Sequence, residues 1–277
     1  MNPKDYSSLH VQSESNGQVL VVELSHGRAN EMGSAELSDW ERLSEELETG
    51  KARVLITFSQ RKSRKGTPIF IAGANVTERT DWSEAQVRAH VRRQRATLAR
   101  LRHAPIFHIV VVEGVALGWG TEFLITADYR LATPTARFGL PETGLGILPG
   151  AGGTSELWSL IGVPQTLRLG MTGEQIGTAE AMRIGLIQEE ADHIESGLER
   201  ARELARQVCR RSPTGVAAFK RGVLASVGTT NAERQEVEAK AYEHCVTTGN
   251  AAVGRENFKQ ILSGEEVEWG PLISFEP

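Results

Sequence analysis

The chain has 277 residues, 40% hydrophobic and 24% charged, and a length at which one large core buries roughly 70–75% of the unfolded surface. Its 31 Lys and Arg against 35 Asp and Glu leave a net charge of −4, so no general nucleic-acid surface is expected. Two cysteines, Cys209 and Cys245, exclude a disulfide framework or multi-cysteine zinc site; with no apolar leader in MNPKDYSSLHVQSES and no run near ~20 apolar residues, the expectation is a soluble, cytoplasmic protein without a membrane partner.

In chain order, Gln18–Leu24 (QVLVVEL) and Ala52–Phe58 (ARVLITF) are short aliphatic runs of the kind that form buried strands. Between them Leu37, Trp40, Leu43 and Leu47 recur at helical spacing, with Ser34 placed to cap the helix. A basic loop, Arg61–Gly66 (RKSRKG), precedes the apolar Ile69–Ala72. Ser83–Arg102 holds neither Gly nor Pro and predicts a long helix, which Pro105 stops ahead of a strand at Phe107–Val112. Gly114–Thr154 is glycine-rich and lysine-poor, with three short apolar pieces between turns. From Glu156 onward helices are expected, at Ile194–Arg211, Pro213–Ser226, Asn231–Thr247 and Ala251–Leu262. Strands interleaved with helices, then helices alone, predict an α/β core with a helical C-terminal part.

Several signatures fail. Gly118–Gly120 is followed by Phe123 where a dinucleotide loop needs its last glycine, and GILPGAGGT at 146–154 lacks the Gly-Lys-Ser/Thr of a phosphate loop. H-E-x-x-H, C-x-x-C and G-x-S-x-G are missing, and the seven histidines are scattered, so no metal site is expected. Chemistry is left to three pieces: Ile69–Val76 (IFIAGANV), Glu113–Asp128 (EGVALGWGTEFLITAD) and Phe138–Thr154 (FGLPETGLGILPGAGGT). A glycine-rich turn that opens a helix exposes backbone N–H groups, and two such groups from separate segments can meet one oxygen as an oxyanion hole. Gly73 and Gly118 would allow close approach, and Glu122 and Glu142 could bracket a reacting atom as base and acid. The same residues also suit plain turns, a dipole-favoured Glu122 and a solvated Glu142, and the residues alone leave both readings open.

Together the three pieces resemble the crotonase superfamily, the enoyl-CoA hydratase/isomerase family. The family's F-x-A-G-A-D corresponds to Phe70-Ile71-Ala72-Gly73-Ala74-Asn75, and its N-G-x-A-L-G-G-G-C-E-L to Glu113 through Phe123. Its F-G-x-P-E-x-x-L-G-x-x-P-G-x-G-G-T is matched from Phe138 through Pro141-Glu142, Leu145-Gly146 and Pro149-Gly150 to Gly152-Gly153-Thr154. The resemblance implies a crotonase-like ββα spiral core over residues 1–200 that carries the CoA-ester site, a helical C-terminal trimerisation region over 201–277, and a homotrimer or homohexamer.

It further implies that the N–H groups of Ala74 and Trp119 hold a thioester oxygen. Glu122 would deprotonate a water, and Glu142 would deliver a proton to C2 of an enoyl-CoA. No cofactor is then needed, coenzyme A being part of the substrate. Arg28, Ala29 and Asn30 fall where the family lines the CoA entrance, and Ala72 where a carbonyl meets the adenine. Gly73, Asn75, Val76, Gly118, Gly120, Pro141 and Thr143 line the rest of the site, and Phe258 and Lys259 match an aromatic-plus-basic pair near its end. The Arg61–Lys65 cluster would face the CoA phosphates, or be a solvated loop.

Two positions depart from the family. Trp119 replaces a glycine, so a positive φ there would be strained, and its indole would either narrow the acyl pocket or pack in the core. Asn75 replaces an aspartate. Alternatives on the same fold are an enoyl-CoA isomerase or other enolate chemistry, and a non-catalytic acyl-CoA-binding homologue. RNA binding through RKSRKG and the Arg88–Arg102 helix has little support from the net charge.

Overall fold

The computed structural model describes residues 6–276. The first five residues of the polar N-terminal stretch, and Pro277, lie outside the described residues. The strands are β1 (Leu9–Glu14), β2 (Val19–Leu24), β3 (Val54–Phe58), β4 (Ile69–Ile71), β5 (Phe107–Val112), β6 (Val115–Leu117), β7 (Tyr129–Ala132), β8 (Arg137–Gly139), β9 (Ile176–Gly177) and β10 (Glu189–Glu190). The helices of the first half are α1 (Ser34–Thr49), α2 (Glu84–His103) and α3 (Trp119–Leu124). Then follow α4 (Leu157–Ile161), α5 (Val163–Thr172), α6 (Thr178–Arg183), α7 (Ile194–Cys209), α8 (Pro213–Ala225), α9 (Asn231–Thr247), α10 (Asn250–Glu256) and α11 (Phe258–Ser263).

The strands form two sheets, ordered β1-β2-β3-β5-β7-β10 and β4-β6-β8-β9. The chain visits them alternately: β3 then β4, β5 then β6, β7 then β8, each pair followed by a helical piece, namely α2, α3 and the 3-10 turn Pro141–Leu145. This is a ββα spiral. Pairing from β2 through β3 and β5 to β7 is parallel, with Val19 opposite Val54 and Val54 opposite Phe107. β4, β6 and β8 are also mutually parallel.

Both faces of the larger sheet are covered, which is why its strands read as unbroken aliphatic runs rather than alternating ones. Val19, Val21, Ile56, Ile109 and Val111 face Ile194, Leu198, Ala201 and Ala205 of α7. Leu20, Val22, Leu55, Val110 and Val112 face the main core with Trp40, Phe70, Phe123 and Phe138. The expected boundary at 200/201 therefore cuts through α7, which is part of the core packing.

Other expectations shift in detail. The α1 helix begins at Ser34, not after it: the Glu36 carboxylate accepts from Gly33 N–H at 2.9 Å, while the Ser34 hydroxyl is spent on Glu78. β1 lies outside the expected strands, its Leu9 and Val11 inward and His10 and Gln12 outward, too short an alternation to stand out. The expected helix Ala251–Leu262 is two helices, broken at Asn257, whose side-chain amide donates to Val253 O.

Candidate active site

Three neighbouring parallel strands of the small sheet deliver the three sequence pieces to one edge. The C-terminal end of β4 runs into Ala72-Gly73-Ala74, that of β6 into Gly118-Trp119, and that of β8 into Pro141-Glu142. Crevices beyond the carboxyl ends of parallel strands are where open α/β sheets place their ligands. Gly73 and Gly118 make the turns at φ +135° and +53°, and a Cβ on Gly73 would sit 3.5 Å from Leu117 O, so the two turns lie side by side. Gly120 is pressed against β4, its missing Cβ only 2.5 Å from Ile71 O.

The positive φ falls on Gly118, so Trp119 starts α3 in ordinary helical geometry. Its indole is 2% exposed and stacks on Phe123 at 5.4 Å, which is the core-packing outcome. The amides of Ala74 and Trp119 have no acceptor among the described residues, whereas the flanking Ala72 and Gly118 amides donate to Ala29 O and Gly139 O. Two unspent N–H groups on adjacent turns are what an oxyanion hole requires.

Glu122 rises from the first turn of α3, 3% exposed. Its Oε1 accepts from Ala151 N at 2.7 Å and Gly153 N at 3.0 Å. Burial pushes its carboxyl up, against those two amides and the nearby Arg95. Arg95 also holds this loop directly, donating to Gly150 O at 2.9 Å. Glu142 leans over the neighbouring turn, so that a Cβ on Gly118 would lie 2.8 Å from its Oε1. Its Oε2 is buried without a partner. Burial, with the charge of Glu122 adding to it and its own backbone N–H opposing, pushes the Glu142 carboxyl up to about 7. Two coupled carboxyls, one amide-bound and one unpartnered, can serve as a base and an acid.

Several other named residues are tied into the turns around these groups. Asn30, at φ +51°, is 4% exposed; its side chain accepts from His26 N at 2.8 Å and donates to Ser59 Oγ at 2.9 Å and Phe70 O at 2.8 Å. Asn75 Oδ1 accepts from Thr77 Oγ1 at 2.7 Å and Glu78 N at 3.2 Å, at the start of the 3-10 turn Thr77–Arg79. Thr143 donates to Gly170 O at 2.9 Å, tying the Glu142 turn to α5. Arg28, Pro141 and Val76 are exposed, and Lys62, Arg64 and Lys65 form a solvated loop edge. Phe258 is 58% exposed on α11, and no hydrogen bond or ion pair among the described residues joins it or Lys259 to the site. Sequence reasoning did not single out the amides of Ala151 and Gly153 or the side chain of Arg95, because backbone donors leave no side-chain signature; the PGAGGT glycines were the available signal.

Two free amides on adjacent turns, with two coupled carboxyls at the same strand ends, form an arrangement that can hold an oxyanion. Residues 19–263 match the enoyl-CoA hydratase/isomerase family. The chain is 31% identical over 242 residues to the short-chain-enoyl-CoA hydratase of Clostridium acetobutylicum, covering 85% of this chain and 88% of that protein. It is 32% identical over 201 residues to the enoyl-CoA isomerase/hydratase fer4 of Mycosarcoma maydis, covering 71% and 72%. The crystal structure of an enoyl-CoA hydratase from Bacillus anthracis superposes with a TM-score of 0.85 at 29% identity, over 95% of this chain and 99% of that one. The chain belongs to the enoyl-CoA hydratase/isomerase family, within the crotonase superfamily, and has its α/β fold.

Proposed function

We propose that this protein hydrates an enoyl-CoA thioester, or dehydrates the corresponding 3-hydroxyacyl-CoA. The observation that carries the reading is the pair Glu122 and Glu142, unlike in environment and electrostatically coupled, beside the unspent amides of Ala74 and Trp119. The thioester oxygen accepts from those two amides, and the charge that develops on it as C2–C3 is attacked is stabilised by donors already in place. Glu122, its Oε1 fixed by Ala151 and Gly153, has Oε2 left to orient and deprotonate a water for C3. Glu142, protonated below about pH 7, gives its proton to C2. Water adds across the double bond, and the proton taken by Glu122 restores Glu142 through product release and solvent.

A screen of enoyl-CoA and 3-hydroxyacyl-CoA esters by mass spectrometry, in oxygen-18 water, tests this. One labelled water should enter the product; isomerisation, the other chemistry named among the relatives, would leave the mass unchanged. In the same assay Glu142→Gln is expected to lower turnover by about 10²–10⁴ while ester binding persists. Retention of most of the rate would refute the role given to Glu142.

A further inference from the structure

The inner face of α2 carries polar groups that hydration does not use. His90 and Gln94 are 4% and 3% exposed, and neither His90 Nε2 nor Gln94 Nε2 has a hydrogen-bond partner among the described residues. The same holds for Arg79 Nη2, in the 3-10 turn that links Ala74 to α2. Buried polar atoms left without a partner are rare in native proteins, and three on α2 and the turn before it ask what they bind.

The direction of these groups follows from what flanks them. On one side of α2, Arg93 reaches Glu41 of α1 at 2.7 Å, and Arg100 reaches Glu45 and Glu48 at 2.8 and 3.2 Å. On the other side, Arg95 holds Gly150 O, and a Cβ on Gly150 would touch Val91 at 3.2 Å, so that flank faces the loop that grips Glu122. With about 100° per helical residue, His90 and Gln94 fall between the two flanks and look into the space between α1 and the reacting centre. Further along the same face Leu98 and Leu101 are packed in the core. Trp82 stands edge-on to His90 at 5.1 Å, and burial, with Arg79 adding to it and Glu78 opposing, disfavours protonation of that imidazole.

The Arg79 guanidinium makes no ion pair or hydrogen bond among the described residues, and the adjacent Glu78 is engaged by the Ser34 N–H at 3.0 Å and by the Ser34 hydroxyl. We propose that Arg79, with Gln94 and His90, anchors a carboxylate at the distal end of the acyl group, making the substrate a CoA thioester of a dicarboxylic acid. This rests on the thioester site proposed above. A guanidinium with neutral N–H donors beside it matches a carboxylate in both charge and geometry.

Calorimetric titration with glutaryl-CoA and pentanoyl-CoA, saturated esters of equal carbon count that cannot be hydrated, tests it without reference to turnover. Glutaryl-CoA should bind at least about tenfold tighter. Arg79→Leu should bring the two affinities together, Gln94→Leu should reduce their ratio, and Arg79→Lys should keep part of the preference. Equal affinities in the unaltered protein, or an Arg79→Leu variant that weakens both esters alike, would overturn the inference while leaving the thioester site intact. Failure of both esters to bind would refute the thioester site and this inference with it.

Discussion

A carboxyl group half-buried above a glycine and beside a second carboxylate is costly to ionise, and Glu142 accordingly holds its proton to about pH 7 instead of its ordinary 4.5. In the unfolded chain that proton leaves near the ordinary value, so Glu142 favours the folded state most at low pH, and this contribution is lost as pH rises through about 7. Glu142→Gln, which has no charge to bury, should melt at a higher temperature than the parent protein at pH 8 and show little difference at pH 4, measured by calorimetry. The hydration rate of the parent should decline as pH rises past about 7, because the proton donor is then spent. The two glutamates and the glycines beneath them were legible as residues because their types and spacing carry the chemistry. The distal groups were not: His90 and Gln94 sit at helical spacing within an arginine-rich stretch, and only the packing on either side of α2 reveals which way they face.

Among elements, the strands that bear the site are short, three residues each in β4, β6 and β8. Their position depends on close backbone contact. Gly114, at φ +76°, leads into β6 with its missing Cβ only 1.8 Å from Pro68 O, a place no side chain can occupy. Gly114→Ala should therefore destabilise the protein by about 3 kcal/mol or more, from steric overlap plus a left-handed alanine, and denaturant titration reads this directly. The long strands and helices were legible from the sequence because their apolar period is long enough to stand out; β5 and α9 fall on the expected residues. Two-residue β9 and β10 and the edge strand β1 offered too few residues for a period, and the break at Asn257 is made by a local side-chain bond that periodicity does not register.

Over the whole molecule, a buried charge helps fasten α8 to the spiral. Lys220 of α8, 9% exposed, donates to Ile106 O at 2.9 Å and to Asp128 at 2.8 Å, where Asp128 also accepts from His108 N at 2.8 Å. Removing one partner of a buried pair strands the other, so Lys220→Met should cost about 3–5 kcal/mol, and limited proteolysis should cut first within α8–α9. The tail from Trp269 to Phe275 straps the same helices, with Trp269 Nε1 donating to Arg210 O at 3.0 Å and Ile273 N to Thr214 at 3.0 Å. The fold class was readable because the order of strands and helices reflects it, whereas the division at residue 200 was not, since α7 belongs by sequence to the helical half and by packing to the sheet.

The spiral's alternation between sheets has one more consequence. Successive turns of the chain each hand one working part to the same rim, so the spacing among those parts is set by strand pitch and not by loop length. Lengthening the Ser15–Gly17 connection would leave the rim of the small sheet undisturbed, whereas a single residue inserted within β4, β6 or β8 would shift one part against the others. New specificities in such a scaffold have room to arise in α2 and the turn before it, which border the reacting atoms without holding them.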